Sequence, residues 1–131
     1  MKRIAIAFAL ATTVLSSTAF AAPISTTSMI AEIGCKTRYS EDKAADIFAN
    51  KYRGQRAVAK GEIVKLDKGK VYLKLLSATL SYDIDIELRD PKATYDMEKG
   101  QRIEVEFTVD GHGGCFLPFS GNDGAIQDAN L

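Results

Sequence analysis

The sequence predicts a mainly-β domain, a small five-stranded barrel entered through one covering helix. Three observations carry that expectation. Segments after residue 56 alternate apolar and polar side chains with the period of strands. Residues 44–52 repeat apolar side chains at helical spacing, and Gly61 interrupts the longest strand where a closed barrel needs a bend.

The chain opens on Lys2 and Arg3, followed by an apolar run, Ile4–Leu15, too short to span a bilayer comfortably. Ala19-Phe20-Ala21 then offers small residues where a signal peptidase cuts. This layout assigns residues 1–21 to a secretory signal removed after Ala21 and places the mature chain in the bacterial periplasm or outside the cell. No cysteine stands at the cut, so lipidation is not expected. The remaining 110 of 131 residues suit one domain with one core. Without Lys2 and Arg3 they hold 15 basic and 17 acidic residues, and a net charge of −2 attracts neither nucleic acid nor anionic lipid. No second apolar run is long enough to cross a membrane.

Cys35 and Cys115 are the only cysteines, and an even pair in an exported chain reads as a structural disulfide. Closing a loop of that length is worth about 4.5 kcal/mol by chain entropy, an upper figure. Two cysteines and the single histidine, His112, lack metal-ligand spacing, and no reactive Cys-x-x-Cys is present. No metal and no cofactor are expected.

Residues 22–40 are rich in Ser and Thr and are expected to stay loose until Cys35 ties them down, with at most one helical turn over Met29, Ile30 and Ile33. The barrel domain then spans 41–131. Ser40 caps the covering helix, whose face carries Ala44, Ile47, Phe48 and Tyr52 and which Gly54 stops. The first strand is Arg56–Leu66, and its alternation changes phase near Gly61. After the turn at 67–70, Val71, Leu73 and Leu75 alternate with Tyr72 and Lys74. In the third strand Tyr82, Ile84, Ile86 and Leu88 share one face, and Asp83, Asp85, Glu87 and Arg89 the other. Asp90-Pro91 starts a short helix through Met97. Ile103, Val105, Phe107 and Val109 mark a fourth strand, and 110–114 a glycine-rich turn. Cys115-Phe116-Leu117 opens a fifth strand, 120–124 reads as a polar turn, and the end as a frayed tail or short strand return.

Five strands, a helix before the first and a short helix between the third and fourth describe an OB-fold-like Greek-key barrel. Asn50-Lys51-Tyr52-Arg53-Gly54-Gln55 leading into a strand with Gly61, and Glu98-Lys99-Gly100-Gln101 before a later strand, resemble the exported tRNA-anti-like OB-fold proteins. The resemblance covers roughly Asp42–Leu117. It implies a fold related to anticodon-binding domains and no activity or catalytic residues, so none are carried over.

The outward side chains of strands two and three, Tyr72, Lys74, Asp83, Asp85 and Glu87, form the candidate binding face, where OB-folds hold their ligands. Three carboxylates there oppose a phosphate backbone, which disfavours nucleic acid. Carboxylates two apart on a strand lie about 6.6 Å from each other, too wide for one tight metal site. His112 in its glycine loop has no neighbouring nucleophile motif, and no Gly-x-Ser-x-Gly elbow occurs. Phe116 and Phe119, flanking Pro118, are expected to plug one barrel end; exposed, they would suit a sugar or a partner protein. The expected function is a non-enzymatic binding module docking on an envelope or periplasmic protein through its outer sheet face or its barrel-end loops. Oligosaccharide binding, by a lectin-like and ring-forming module, is the alternative, and single-stranded nucleic acid the third. The oligosaccharide reading needs Tyr72, Tyr82 and Phe119 exposed.

Overall fold

The computed structural model of the chain describes residues 22–75 and 81–131. The signal peptide expected over residues 1–21, and most of the expected link over 77–81, lie outside the described residues.

The segment expected to be loose is built into the core. A two-residue strand β1 (Ile24–Ser25) runs parallel to the chain at Ala57–Val58 and leads into helix α1 (Thr26–Ile33). Ser25 caps α1 by accepting a hydrogen bond from the Ser28 N–H at 3.3 Å, and Met29 and Ile33 are buried. Eight helical residues replace the single turn expected. Burying Met29 and Ile33 is worth roughly 1.5–3 kcal/mol each, enough to order a segment whose composition alone reads as loop.

Helix α2 (Glu41–Ile47) starts at Ser40, whose hydroxyl accepts from the Lys43 N–H. It continues as a wider π turn over Phe48–Tyr52 before Gly54, at φ +81°, ends it. Ala44, Phe48 and Tyr52 are buried and Ile47 half-buried, as the apolar spacing predicts. Glu32 of α1 accepts from the Tyr52 hydroxyl and from Lys51 at 2.9 Å, fastening the two helical pieces together. The Tyr52 hydrogen bond, aided by Lys51, holds the Glu32 carboxyl below its usual range.

Strands β2 (Arg56–Asp67), β3 (Lys70–Lys74), β4 (Ile84–Leu88), β5 (Arg102–Gly111) and β6 (Phe119–Asp128) form a closed barrel. The order round it is β2-β3-β4-β6-β5, with β5 returning to β2; β4 and β6 are parallel and every other barrel pair is antiparallel. A short 3-10 turn (Pro91–Thr94), capped by the Asp90 side chain, links β4 towards β5. Inward residues alternate as expected in β3, β4 and β5. In β2 the inward set begins with small residues, Ala57, Ala59 and Gly61, and continues with Ile63.

The change of phase in β2 is real, but its bulge lies at Val64, between the pairs Ile63–Leu73 and Lys65–Tyr72. Gly61 pairs in register with Ile103. Its role is close approach: a Cβ there would sit 2.7 Å from the Lys74 carbonyl oxygen.

The last strand differs most from expectation. Residues 115–117 form a bend, and 120–124, expected as a polar turn, belong to β6. Glycine serves packing there. A Cβ on Gly121 would collide with the Phe107 ring, and one on Gly124 would lie 2.8 Å from Ile86 Cγ2. Between them Asp123 adopts φ +51° where the register shifts. Its carboxylate accepts from Arg89 Nε at 2.7 Å and meets Arg56 Nη1 at 3.4 Å, and the Arg89 hydrogen bonds hold it below the usual range. Two arginines thus secure an irregular stretch that side-chain alternation could not specify.

Candidate functional site

The predicted face is brought together in part. Across β2, β3 and β4, Lys65 stands beside Tyr72 and Tyr72 beside Asp85; the next row is Asp67, Lys70 and Glu87, and Lys74 faces Glu62. Tyr72 and Asp85 are half-buried, while Lys74 and Glu87 are exposed. Lys65 was not among the expected residues, because the bulge at Val64 is what turns it onto this face. Its Nζ lies 4.8 Å from the Tyr72 ring centroid, and Tyr82 meets Tyr72 edge-on at 4.9 Å.

Asp83 does not join the row. It is buried just before β4 begins, where the expected alternation has not yet started. Its carboxylate accepts the Leu75 N–H at 2.7 Å, its N–H donates to the Leu73 carbonyl, and its carbonyl accepts from the Phe119 N–H. Asp83 therefore clips the end of β3 and the starts of β4 and β6 to one another. Asp83→Ala leaves the Leu75 N–H without its acceptor and is expected to cost about 1–3 kcal/mol in urea unfolding, with Asp83→Asn, which keeps an acceptor oxygen, losing less.

With Asp83 removed from the surface, Glu62, Asp67, Asp85 and Glu87 alternate with Lys65, Lys70 and Lys74, so the face is mixed in charge and not an acidic row. Burial pushes the Asp85 carboxyl above its ordinary value; Lys70 opposes the rise and Asp110 adds to it. Between the ordinary value, about 3.9, and the raised one, the folded protein holds a proton that the unfolded chain has released, so stability falls as pH rises through that window. Asp85→Asn is expected to raise the urea midpoint at neutral pH and leave it nearly unchanged below the ordinary carboxylate value.

The second surface lies at the end of the barrel closed by the helices, where the sequence offers Phe116 and Phe119 as a plug or, if exposed, as an edge for a partner. The connection from β5 to β6, residues 112–118, is tied by the Cys35–Cys115 disulfide to the link between α1 and α2. His112 packs inside this connection, its ring stacked on Phe48 at 4.9 Å and tilted against Phe119 at 5.6 Å. Its Nε2 lies 3.0 Å from the Ile33 carbonyl, a contact an imidazole makes only as donor. His112 is thus a packed wall of this end.

The two phenylalanines expected to plug the barrel end part company. Phe119 is buried in the plug, whereas Phe116 is 91% exposed and its neighbour Leu117 67% exposed. They stand at the rim of a cleft of about 380 Å³ whose walls include Ile33, Ala44, His112 and both cysteines. The disulfide explains the exposure. Cys115 is fixed over the helix link, outside the barrel wall, so the two residues after it cannot reach inward before Pro118 and Phe119 re-enter the sheet. The adjacency of Cys115 to Phe116 and Leu117 was the available signal.

Among the described residues no group of three or more His, Cys, Asp or Glu side chains is placed to hold a metal ion, and no helix is long and apolar enough to cross a membrane. Comparison with known proteins finds no matching family model, no matching curated protein and no matching solved structure.

Proposed function

We propose that the chain is an exported, non-enzymatic binding module of the OB-fold type that docks on a protein of the cell envelope through Phe116 and Leu117. One observation carries the reading: two large apolar side chains stand bare on a connection that a disulfide holds still. Bare apolar residues on a rigid mount are what a protein interface uses as anchors. Burying both would contribute roughly 3–6 kcal/mol, and the disulfide lowers the ordering cost of doing so.

The barrel order, with its single parallel pair β4–β6 and a short helical link before β5, supports the OB-fold assignment. Export is supported by the N-terminal sequence pattern and by the disulfide. The sheet face is the weaker candidate. Tyr72 already carries Lys65 over its ring and Tyr82 at its edge, so a sugar or base must displace a neighbour before stacking. Phe119, required for the oligosaccharide reading, is buried.

An amide NMR titration of the oxidised protein tests the reading, using envelope protein fractions, envelope glycans and a single-stranded oligonucleotide at physiological salt. Shifts or broadening confined to 34–40 and 112–118 with a protein fraction are expected. Shifts on Tyr72, Lys74, Asp85 and Glu87 with a glycan or oligonucleotide would overturn it.

A further inference from the structure

The disulfide is itself part of the cleft wall. Cys35 is exposed and Cys115 half-buried, and both line the cleft that Phe116 and Leu117 border. Thiol–disulfide exchange needs a thiolate to reach a disulfide sulfur from outside, and the rate follows that access.

Opening the bond has a local consequence. Neither cysteine belongs to a strand, and the ladders that close the barrel, β2 with β5 and β4 with β6, run through neither residue. On one side of Cys115 stands Gly114, where a Cβ would meet nothing within 4 Å, and beyond it Gly113 is buried against Phe119. Glycine in open space leaves the chain free to rearrange once the sulfur is released. On the other side stand Phe116 and Leu117, next to the leaving sulfur of Cys115, where apolar contact can hold a second protein in place during exchange.

We propose that Cys35–Cys115 is an exchangeable bond and that the protein docking on Phe116 and Leu117 is a dithiol oxidoreductase; this rests on the docking reading above and names the partner's chemistry. The partner's thiolate attacks Cys35 Sγ, the sulfur of the more exposed cysteine. A bond forms between those two sulfurs, the Cys35–Cys115 bond breaks, and Cys115 leaves as a thiolate that takes up a proton. The partner's second thiolate then attacks the partner's own sulfur in the mixed disulfide and releases Cys35 as the second thiol. Two electrons pass from the dithiol to the disulfide, the partner leaves oxidised, and the connection carrying Phe116 and Leu117 is freed from the helix link.

The test uses reduced thioredoxin whose second motif cysteine is replaced by serine, so that the mixed disulfide cannot resolve. It is mixed with the oxidised protein, quenched in acid and analysed by non-reducing electrophoresis and peptide mass spectrometry. The expected product links thioredoxin to Cys35 with Cys115 free, forming at least about tenfold faster per thiolate than the glutathione adduct. The double variant Phe116→Ala, Leu117→Ala should lose that advantage, read as the ratio of its thioredoxin rate to its glutathione rate. Circular dichroism verifies that the variant remains folded. A mixed disulfide that forms only in denaturant, or a thioredoxin rate indifferent to the double variant, would overturn the proposal. If the variant loses binding to an envelope protein in the titration while no mixed disulfide forms, docking stands and exchange fails. If the variant changes neither, both fail.

Discussion

Alanine in place of Phe107 is expected to lower the stability of the barrel by about 3–5 kcal/mol, measured as a shift in the urea midpoint. Phe107 lies fully buried on β5, and its ring fills the space that the missing side chain of Gly121 leaves on β6. The two residues are complementary, so their replacements should not add. Gly121→Ala alone drives a methyl group into the ring and is expected to cost about 1–3 kcal/mol. In the Phe107→Ala background that methyl enters the vacated space, and the cost of Gly121→Ala should vanish or reverse. Additive losses would mean that the last strand does not pack as described, since Gly121 would then not face Phe107.

Replacing both cysteines with serine is the second large effect. The bond joins residues 80 apart in sequence, and its loss is expected to remove about 2–4.5 kcal/mol and roughly 8–18 °C of melting temperature. The barrel itself should remain, because its closing ladders do not depend on the bond. Amide shifts should change over 34–40 and 112–118 and stay in place for β2 to β5. Collapse of the whole spectrum would show that the disulfide holds the core and not only the tip.

Much of the barrel is legible in the sequence because its strands bury one face each. Ile84, Ile86 and Leu88, and Ile103, Val105, Phe107 and Val109, alternate cleanly and are all buried. The helix caps at Ser40 and Asp90 are equally plain, since a short polar side chain before a helical run has one obvious partner, the free N–H groups of the first turn. The sixth strand is hidden for the opposite reason. Its inward positions at Gly121 and Gly124 hold no side chain because Phe107, Ile86 and Leu88 occupy the volume, and a strand whose core face is glycine resembles a turn. Ala57 and Ala59 escape notice similarly, their weight being less than that of the half-buried Val58 beside them.

The candidate sites divide along the same line. Tyr72, Lys74, Asp85 and Glu87 lie on the face that alternation predicts, whereas Asp83 and Lys65 change places on it. Local alternation is blind to a strand that starts one residue late, and to a bulge at Val64. Phe116 and Leu117 are exposed through a covalent tie between distant residues, which no periodicity encodes.

The most direct test of docking through the tip is site-specific photo-crosslinking in cells that make the protein, with a benzophenone side chain placed at position 116 or, in a second variant, at position 72. A discrete protein adduct is expected from position 116, lost when the exposed Leu117 is changed to lysine, and no matching adduct from position 72. An adduct formed from position 72 and not from 116 would place the interface on the sheet and contradict the account.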